Sequence, residues 1–440
     1  MLDLFDEPLP ETGEDSVAVI EDLALRGEQG LNQMAHPRFF GWVLGGSAPV
    51  GVAADWLVSA WGQNAAFHGS SPTGAAIEEI AGRWLLDLLD LPRDAAVGFV
   101  TGGTVGNFTA LAAARSAVLR RQGWDADADG LFGAPPVEVF IGKDAHTSVF
   151  AALGYLGMGR KRVHRVRTDQ EGRMIAGDLA RQMEDATGPS IVVAQAGQIN
   201  TGAFDPFGDI VSIARAAGAW VHVDGAFGLW ARAHRDYCSL TEGVETADSW
   251  SVDGHKWLQT PFDSGYAIVR DTAALQAAMK IDASYLPPQG QGERIPCFLV
   301  PELSRRARGI PTWAMIKSLG RMGVEALVAR HCGIAQRIAE RLAAADGVRV
   351  LNDVVLNQII VSFGCLTVAA GDGKSATEAV ITALRDKGEI FVSGGYWHGE
   401  WVMRISVICD ATMPGDADVV ASLILTAWAE VREAAIGQGR

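Results

Sequence analysis

WVHVDGAFGLWARAHRDYCSLTEGVETADSWSVDGHKW, residues 220–257, decides how this chain is read. Val221 and Val223, with the flanking aromatics, make WVHVDGAF a buried strand whose inner end is Asp224. SWSVD, 249–253, is a second short apolar strand, and the Gly254-His255-Lys256-Trp257 that follows stands at its C-terminal end. Asp224 precedes Lys256 by 32 residues, room for a strand–crossover–strand unit that makes the two strands neighbours. The C-terminal edge of such a sheet is where α/β folds build their sites.

Outward from this stretch the same rhythm continues. VGFV (97–100), VEVFIG (137–142), KRVHRVR (161–167), IVVAQAG (191–197) and GYAIVRD (265–271) are further strand candidates, seven in all with the two above. Helical stretches follow several of them, among them TSVFAALGYL, DLARQMEDA and DIVSIARAAG. Apolar strands alternating with helices indicate a mostly parallel sheet covered on both faces, an α/β fold. Residues 1–75 read as an N-terminal helical segment, 76–310 as the large domain, and 311–440 as a small α+β domain. In that last part LNQIIVSFG and WVMRISVI flank the helix TEAVITALRDKG. The segment 281–310, dense in Pro and Gly, reads as a long loop, of the kind that in compact domains usually has a function.

Composition narrows the class. Hydrophobic residues make up 48% of the 440, enough for a large core. The formal charge of −15 argues against nucleic acid or an anionic membrane as the partner. Cys238, Cys297, Cys332, Cys365 and Cys409 are scattered without CxxC spacing, which fits a reducing compartment. The opening MLDLFDEPLPETGED lacks the basic and apolar regions of a signal peptide, and no apolar run reaches spanning length. A soluble, cytoplasmic protein is expected.

Five motifs carry chemistry. Lys256 stands at a strand end where an imine-forming lysine could be placed, since such a lysine needs its neutral amine and partial burial near other charges can provide it, although a lysine there is more often a solvated surface group. Asp224, at the inner end of a buried strand, needs a partner. Arg or Lys, a metal, or the protonated ring nitrogen of a bound heterocycle would each serve. VTGGTVGNFTALAAAR, 100–115, is a glycine turn opening a helix, so its amides can cradle an anion or simply begin the helix. Gly103 and Thr104 are its best contacts. The run lacks GxGxxG and GK[ST], which argues against a nicotinamide dehydrogenase. His146, in KDAHTSVFAAL, is placed to cap a helix or to stack on a planar ring. Asn200 and Thr201, in QINTGAFDP, either face a ligand or serve an ordinary turn.

In this order and at these spacings the motifs resemble the group II pyridoxal-phosphate-dependent amino acid decarboxylases, the aromatic-L-amino-acid decarboxylases among them. HPRFF, the SSP–IEE segment, DAHTSV, HVDGA, HKW, the RRARG–W–IKSLGRMG run and MRISVICD all look like landmarks of that family, from about His36 to Cys409. The resemblance implies fold-type-I architecture: a seven-stranded, mostly parallel sheet in the large domain, and homodimers with shared active sites. It implies pyridoxal 5'-phosphate as cofactor, joined to Lys256, with His146 stacked on its ring, Asp224 on the ring nitrogen and Ala226 beneath. Gly103 and Thr104 would hold the phosphate with Asp253 or His255, and Asn200 would face the cofactor. Trp42, Val43, Asn64, Ala66 and Phe67 would wall an amino acid substrate whose α-carboxylate is removed, with His398 at the same site. Their aromatic character favours an aromatic or apolar side chain. Arg404 is either a carboxylate contact or half of a packing ion pair.

Three departures stand out. Gln198-Ile199 precedes Asn200 where the family often has hydroxyl residues. Asp253-Gly254-His255 replaces the Asn-Pro-His typical of the animal aromatic enzymes. The loop tyrosine that returns a proton to the substrate carbon is missing: its place falls near Pro296–Phe298, Tyr285 comes too early, and His398 is the alternative donor. An aldehyde synthase or carbon–carbon lyase of the same superfamily is therefore the competing expectation.

Overall fold

The computed structural model describes residues 2–281, 294–364 and 372–438. All seven strand candidates form strands: β1 (Ala96–Val100), β2 (Glu138–Gly142), β3 (His164–Val166), β4 (Ser190–Gln195), β5 (Trp220–Asp224), β6 (Ser249–Asp253) and β7 (Gly265–Val269). They make one sheet in the order β1-β7-β6-β5-β4-β2-β3. Only β7 runs against its neighbours β1 and β6; the remaining pairs are parallel. β1, β4, β5, β6 and β7 are buried along their whole lengths, which is why they read as continuous apolar runs. The C-terminal ends of β1, β2, β4, β5 and β6 consequently share one edge, and register sets Gln195 and Ser251 on either side of Asp224.

The helix Gly103–Arg120 crosses one face of the sheet, its alanines and Leu111 packed against Val139, Ile141, Ile191 and Val193. The other face carries the largest core, with Trp230, Trp250, Trp257 and Tyr266 fully buried. Buried apolar surface on this scale, at about 25 cal/mol per Å2, is what holds the edge rigid.

A second, wholly antiparallel sheet has the order β10-β11-β9-β8, from β8 (Val348–Val350), β9 (Gln358–Phe363), β10 (Ser393–Trp397) and β11 (Glu400–Ser406). β9 and β11 match the two strands expected there. The helical stretch Gly309–Ala343 joins both units and turns at Gly320. Met315 to Cys332 pack in the large core, while Ile334 to Leu342 pack with Phe363 and Trp428. Phe40 of the N-terminal segment lies in that second core, and its amide donates to the Phe391 carbonyl at 2.8 Å. Among the described residues no helix is long and apolar enough to cross a membrane.

Candidate active site

Asp224 is buried, and its carboxylate accepts from Asn107 Nδ2 at 3.1 Å and from the Ala226 amide at 3.2 Å. One strand over, β6 delivers Asp253, and the turn after it brings Lys256 back so that Nζ lies 2.9 Å from Asp253 Oδ2. Gly254 makes that turn possible: a Cβ there would lie 2.2 Å from the Tyr266 hydroxyl. Here lies a physical reason for one of the departures, since buried Tyr266 occupies the space that a ring at 254 would need.

Lys256, Asp253, His255, His146, Ser148, Ala226 and residues 101–105 line one cavity of about 280 Å3. The glycine turn, the lysine and the histidine singled out in the sequence therefore meet. A wider groove of about 840 Å3, bounded by 169–175, 203–209 and 239–245, contains none of them. His146 does the first of the two jobs considered for it. It caps the helix Thr147–Tyr155, its Nδ1 taking the Ser148 amide at 3.3 Å and pairing with Ser148 Oγ at 2.7 Å, and it also lines the cavity. Burial lowers its pKa against the pull of Asp224, as burial does for His255, so both rings favour the neutral form.

The remaining expected residues sit elsewhere. Asn64 Oδ1 accepts the Arg305 amide, Ala66 is fully buried against Cys297 and Phe298, and Phe67 packs on that cluster. Within one chain these three do not line the lysine cavity. Pro296–Phe298 is a buried turn whose Cys297 amide donates to the Ala66 carbonyl. Tyr285 lies outside the described residues. Trp42 is half exposed and packs at 5.4 Å on Phe391, with Val43 buried beside it. Their segment runs over the lysine turn so closely that a Cβ on Gly45 would meet the Lys256 carbonyl at 2.1 Å. His398, at the turn between β10 and β11, pairs with Asp144 Oδ2 at 3.0 Å. Asn200 is half-buried in the turn after β4, where the neighbouring Ile199 carbonyl accepts from Arg404 Nη2 at 2.8 Å. Arg404 has no carboxylate within ion-pair distance among the described residues, its Nε is unpartnered, and burial lowers its pKa to about 10.

Two residues that sequence reading passed over organise the site. Asn107 holds Asp224. Gln259, fully buried at φ +59°, ties three segments together. Its Oε1 accepts from Gly46 and Asp410 amides, and its Nε2 donates to the Lys256, Trp257 and Ile408 carbonyls. The DAHTSV, HKW and MRISVICD landmarks hinted that these regions matter, but an uncharged amide carries no signal of its own.

The arrangement fits pyridoxal phosphate on observations internal to this chain. Asp253 Oδ1 is buried in the cavity wall without a hydrogen-bond partner. A Cβ on Gly102 would reach 2.9 Å from His255 Cε1, so glycine keeps the mouth of the helix Gly103–Arg120 open to an anion. Asp224 offers a carboxylate to a cationic ring, and Lys256 an amine to an aldehyde. The metal alternative for Asp224 finds no companions: among the described residues no group of three or more His, Cys, Asp or Glu is arranged to hold an ion.

Comparison with known proteins agrees. The model of the pyridoxal-dependent decarboxylase conserved domain matches residues 1–364. An aromatic-L-amino-acid decarboxylase of Bacillus atrophaeus is 29% identical over 369 residues, 81% of this chain and 73% of that one. An L-2,4-diaminobutyrate decarboxylase of Rhizobium meliloti is 32% identical over 353 residues, 78% and 67% of the two. In fold, the crystal structure of Oryza sativa TDC with PLP and tryptamine superposes with a TM-score of 0.91 at 22% identity, over 98% of this chain and 91% of that one. This chain belongs to the pyridoxal-dependent decarboxylases, and pyridoxal 5'-phosphate is its cofactor.

Proposed function

We propose that this enzyme removes the α-carboxylate of an L-amino acid with an aromatic or apolar side chain. The observation that carries the reading is Asp224 and Lys256 at the ends of adjacent strands, with the lysine opening on a cavity whose far wall is a helix N-terminus. When bound, pyridoxal phosphate supplies the electron sink for the pair left by the broken bond. This chain supplies the rest. Asp224 keeps a proton on the ring nitrogen. Neutral His146 presents a flat face, and the glycine-rich turn holds the phosphate. Asp253, 2.9 Å from Lys256 Nζ, would hold the lysine side chain at the site. Arg404, buried with no acidic partner among the described residues, is the cation we assign to the substrate carboxylate, holding it so that the bond to be cleaved stands across the ring.

Trp42 and Val43, on the segment packed over the lysine turn, support the apolar preference. The R. meliloti relative is by name an L-2,4-diaminobutyrate decarboxylase, so side-chain class must be measured. A panel of L-amino acids with the holoenzyme, scored for CO2, amine, aldehyde and ammonia, is the test. Amine with CO2 from an aromatic substrate is expected. Aldehyde with ammonia, formed with consumption of dioxygen as the two-electron oxidant, would favour the second reading, an aldehyde synthase, which rests on the buried Pro296–Phe298 turn at the place expected for a proton-donating tyrosine.

We further propose a cytoplasmic homodimer, in keeping with free Cys238, Cys297, Cys332 and Cys409. The helix Ser16–Glu28 buries nothing, with Val17, Ile20, Leu23 and Leu25 all more than half exposed, and Trp56 is 70% exposed. An apolar helix left bare in one copy is covered by a second. Asn64 and Phe67, which unlike Ala66 are not buried in one chain, would then serve the partner's site.

A further inference from the structure

Asn107 lies in the second turn of the helix Gly103–Arg120, fully buried, and four side chains converge on its amide. Nδ2 lies 3.1 Å from Asp224 Oδ2 and 3.2 Å from Ser148 Oγ. Oδ1 lies 2.6 Å from Ser251 Oγ and 2.9 Å from His222 Nε2. A carboxylate only accepts, so the amide has one possible orientation, nitrogen toward Asp224. Turned over, it would set oxygen against oxygen inside the core.

The rest follows from that one fact. With Oδ1 an acceptor, Ser251 donates its hydroxyl and His222 carries its proton on Nε2. His222 Nδ1 is then bare and accepts from Ser249 Oγ at 2.9 Å, and Ser249 in turn accepts from Trp220 Nε1 at 2.9 Å. An indole N–H can only donate. From Trp220 to Asp224 each hydrogen has a single placement, and all bonds point toward the carboxylate. Burial pushes the His222 pKa down to about 4, which keeps it the neutral member such a chain needs. A branch runs the other way. Ser148 Oγ receives Asn107 and donates to His146 Nδ1, which also takes the Ser148 amide, leaving the His146 proton on Nε2.

We propose that Asn107 is the positioning residue of this site: one amide orients Asp224 directly and His146 through Ser148, so that the groups meeting the cofactor's ring nitrogen and ring face are set together. Bonds aligned head to tail polarise one another, which makes Asn107 a stronger donor to Asp224 than an isolated amide. The proposal rests on the reading that Asp224 and His146 meet that ring.

The test compares holoenzyme carrying Asn107→Ser with Asp224→Asn, reading the pH dependence of the bound cofactor's absorption and the affinity for pyridoxal phosphate. Asn107→Ser is expected to move the absorption midpoint and to weaken cofactor affinity roughly tenfold to a hundredfold, the scale of a hydrogen bond to a charged group. Should Asp224→Asn change both readouts while Asn107→Ser changes neither, Asn107 is packing and the proposal is wrong. Should Asp224→Asn change neither, the underlying reading of Asp224 is what fails. Nitrogen-15 spectra of histidine-labelled wild-type holoenzyme give a readout independent of whether the variant folds. Neutral His222 and His146, each protonated on Nε2, support the relay; a proton on Nδ1 of either overturns it.

Discussion

At the scale of single residues, the site is a small set of charges distinguished by their partners. Asp224 faces Asn107, Asp253 faces Lys256, and Arg404 has no carboxylate within ion-pair distance among the described residues. Asp224→Asn keeps the shape and removes the charge. It should lower kcat by about a hundredfold or more, the cost of roughly 3 kcal/mol of lost transition-state stabilisation, measured at saturating cofactor. Lys256→Ala should abolish turnover with every amino acid. Arg404→Met should raise KM for the amino acid about tenfold or more while leaving cofactor affinity near the wild-type value, as expected for a lost charge-assisted contact. Of this chemistry, Lys256, Asp224 and His146 were legible in the sequence because each stands alone as a reactive type at a strand end or helix start. Asn107 and Gln259 were not. Their roles exist only once segments distant in the chain are folded together, and nothing in NFTAL or WLQT marks an amide as buried.

At the scale of elements, legibility tracked periodicity. Five of the seven strands of the large sheet are buried along their whole lengths, and buried runs announce themselves. β10, with two glycines and an exposed tyrosine, carries no such pattern and became a strand only by pairing with β11. Two sequence landmarks turn out to be one contact. Glu78 of the SSP–IEE segment and Arg305 of RRARG form a fully buried ion pair at 2.8 Å, with Arg305 also donating to the Ala65 and Phe99 carbonyls. The pair pins the end of β1 and the segment after Pro296–Phe298 to the same helix, Pro72–Leu88. Removing one partner leaves a buried charge uncompensated, so Arg305→Met should cost about 3–5 kcal/mol in urea unfolding. Adding Glu78→Met to it should restore a good part of that loss. A cost near zero for the single variant would show that the pair is not the anchor.

At the scale of the whole molecule, two properties follow from burial. His331 is fully buried between the two units, stacks on Trp257 and bonds the Cys409 carbonyl, and burial depresses its pKa to about 3. Its folded pKa lies below the unfolded value near 6.5, so its contribution is present above that value and lost as pH falls below it. Relative to His331→Gln, the wild type should therefore lose about 1.4 kcal/mol per pH unit between roughly pH 6.5 and 4, measured as the difference between the two unfolding curves. A constant difference across that window would mean that His331 titrates normally. The bare helix Ser16–Glu28 is the second property. Leu23→Asp should shift sedimentation from dimer to monomer and weaken cofactor retention with it; an unchanged dimer would place the interface elsewhere. The proposed dimer is implied in the sequence only by resemblance, since composition does not say which apolar faces stay uncovered.

The account stands on Lys256 being the amine that takes the cofactor aldehyde. Borohydride reduction of the holoenzyme followed by peptide mapping tests this most directly. The pyridoxyl label is expected on the peptide SVDGHKW, at Lys256. A label on any other lysine would contradict it.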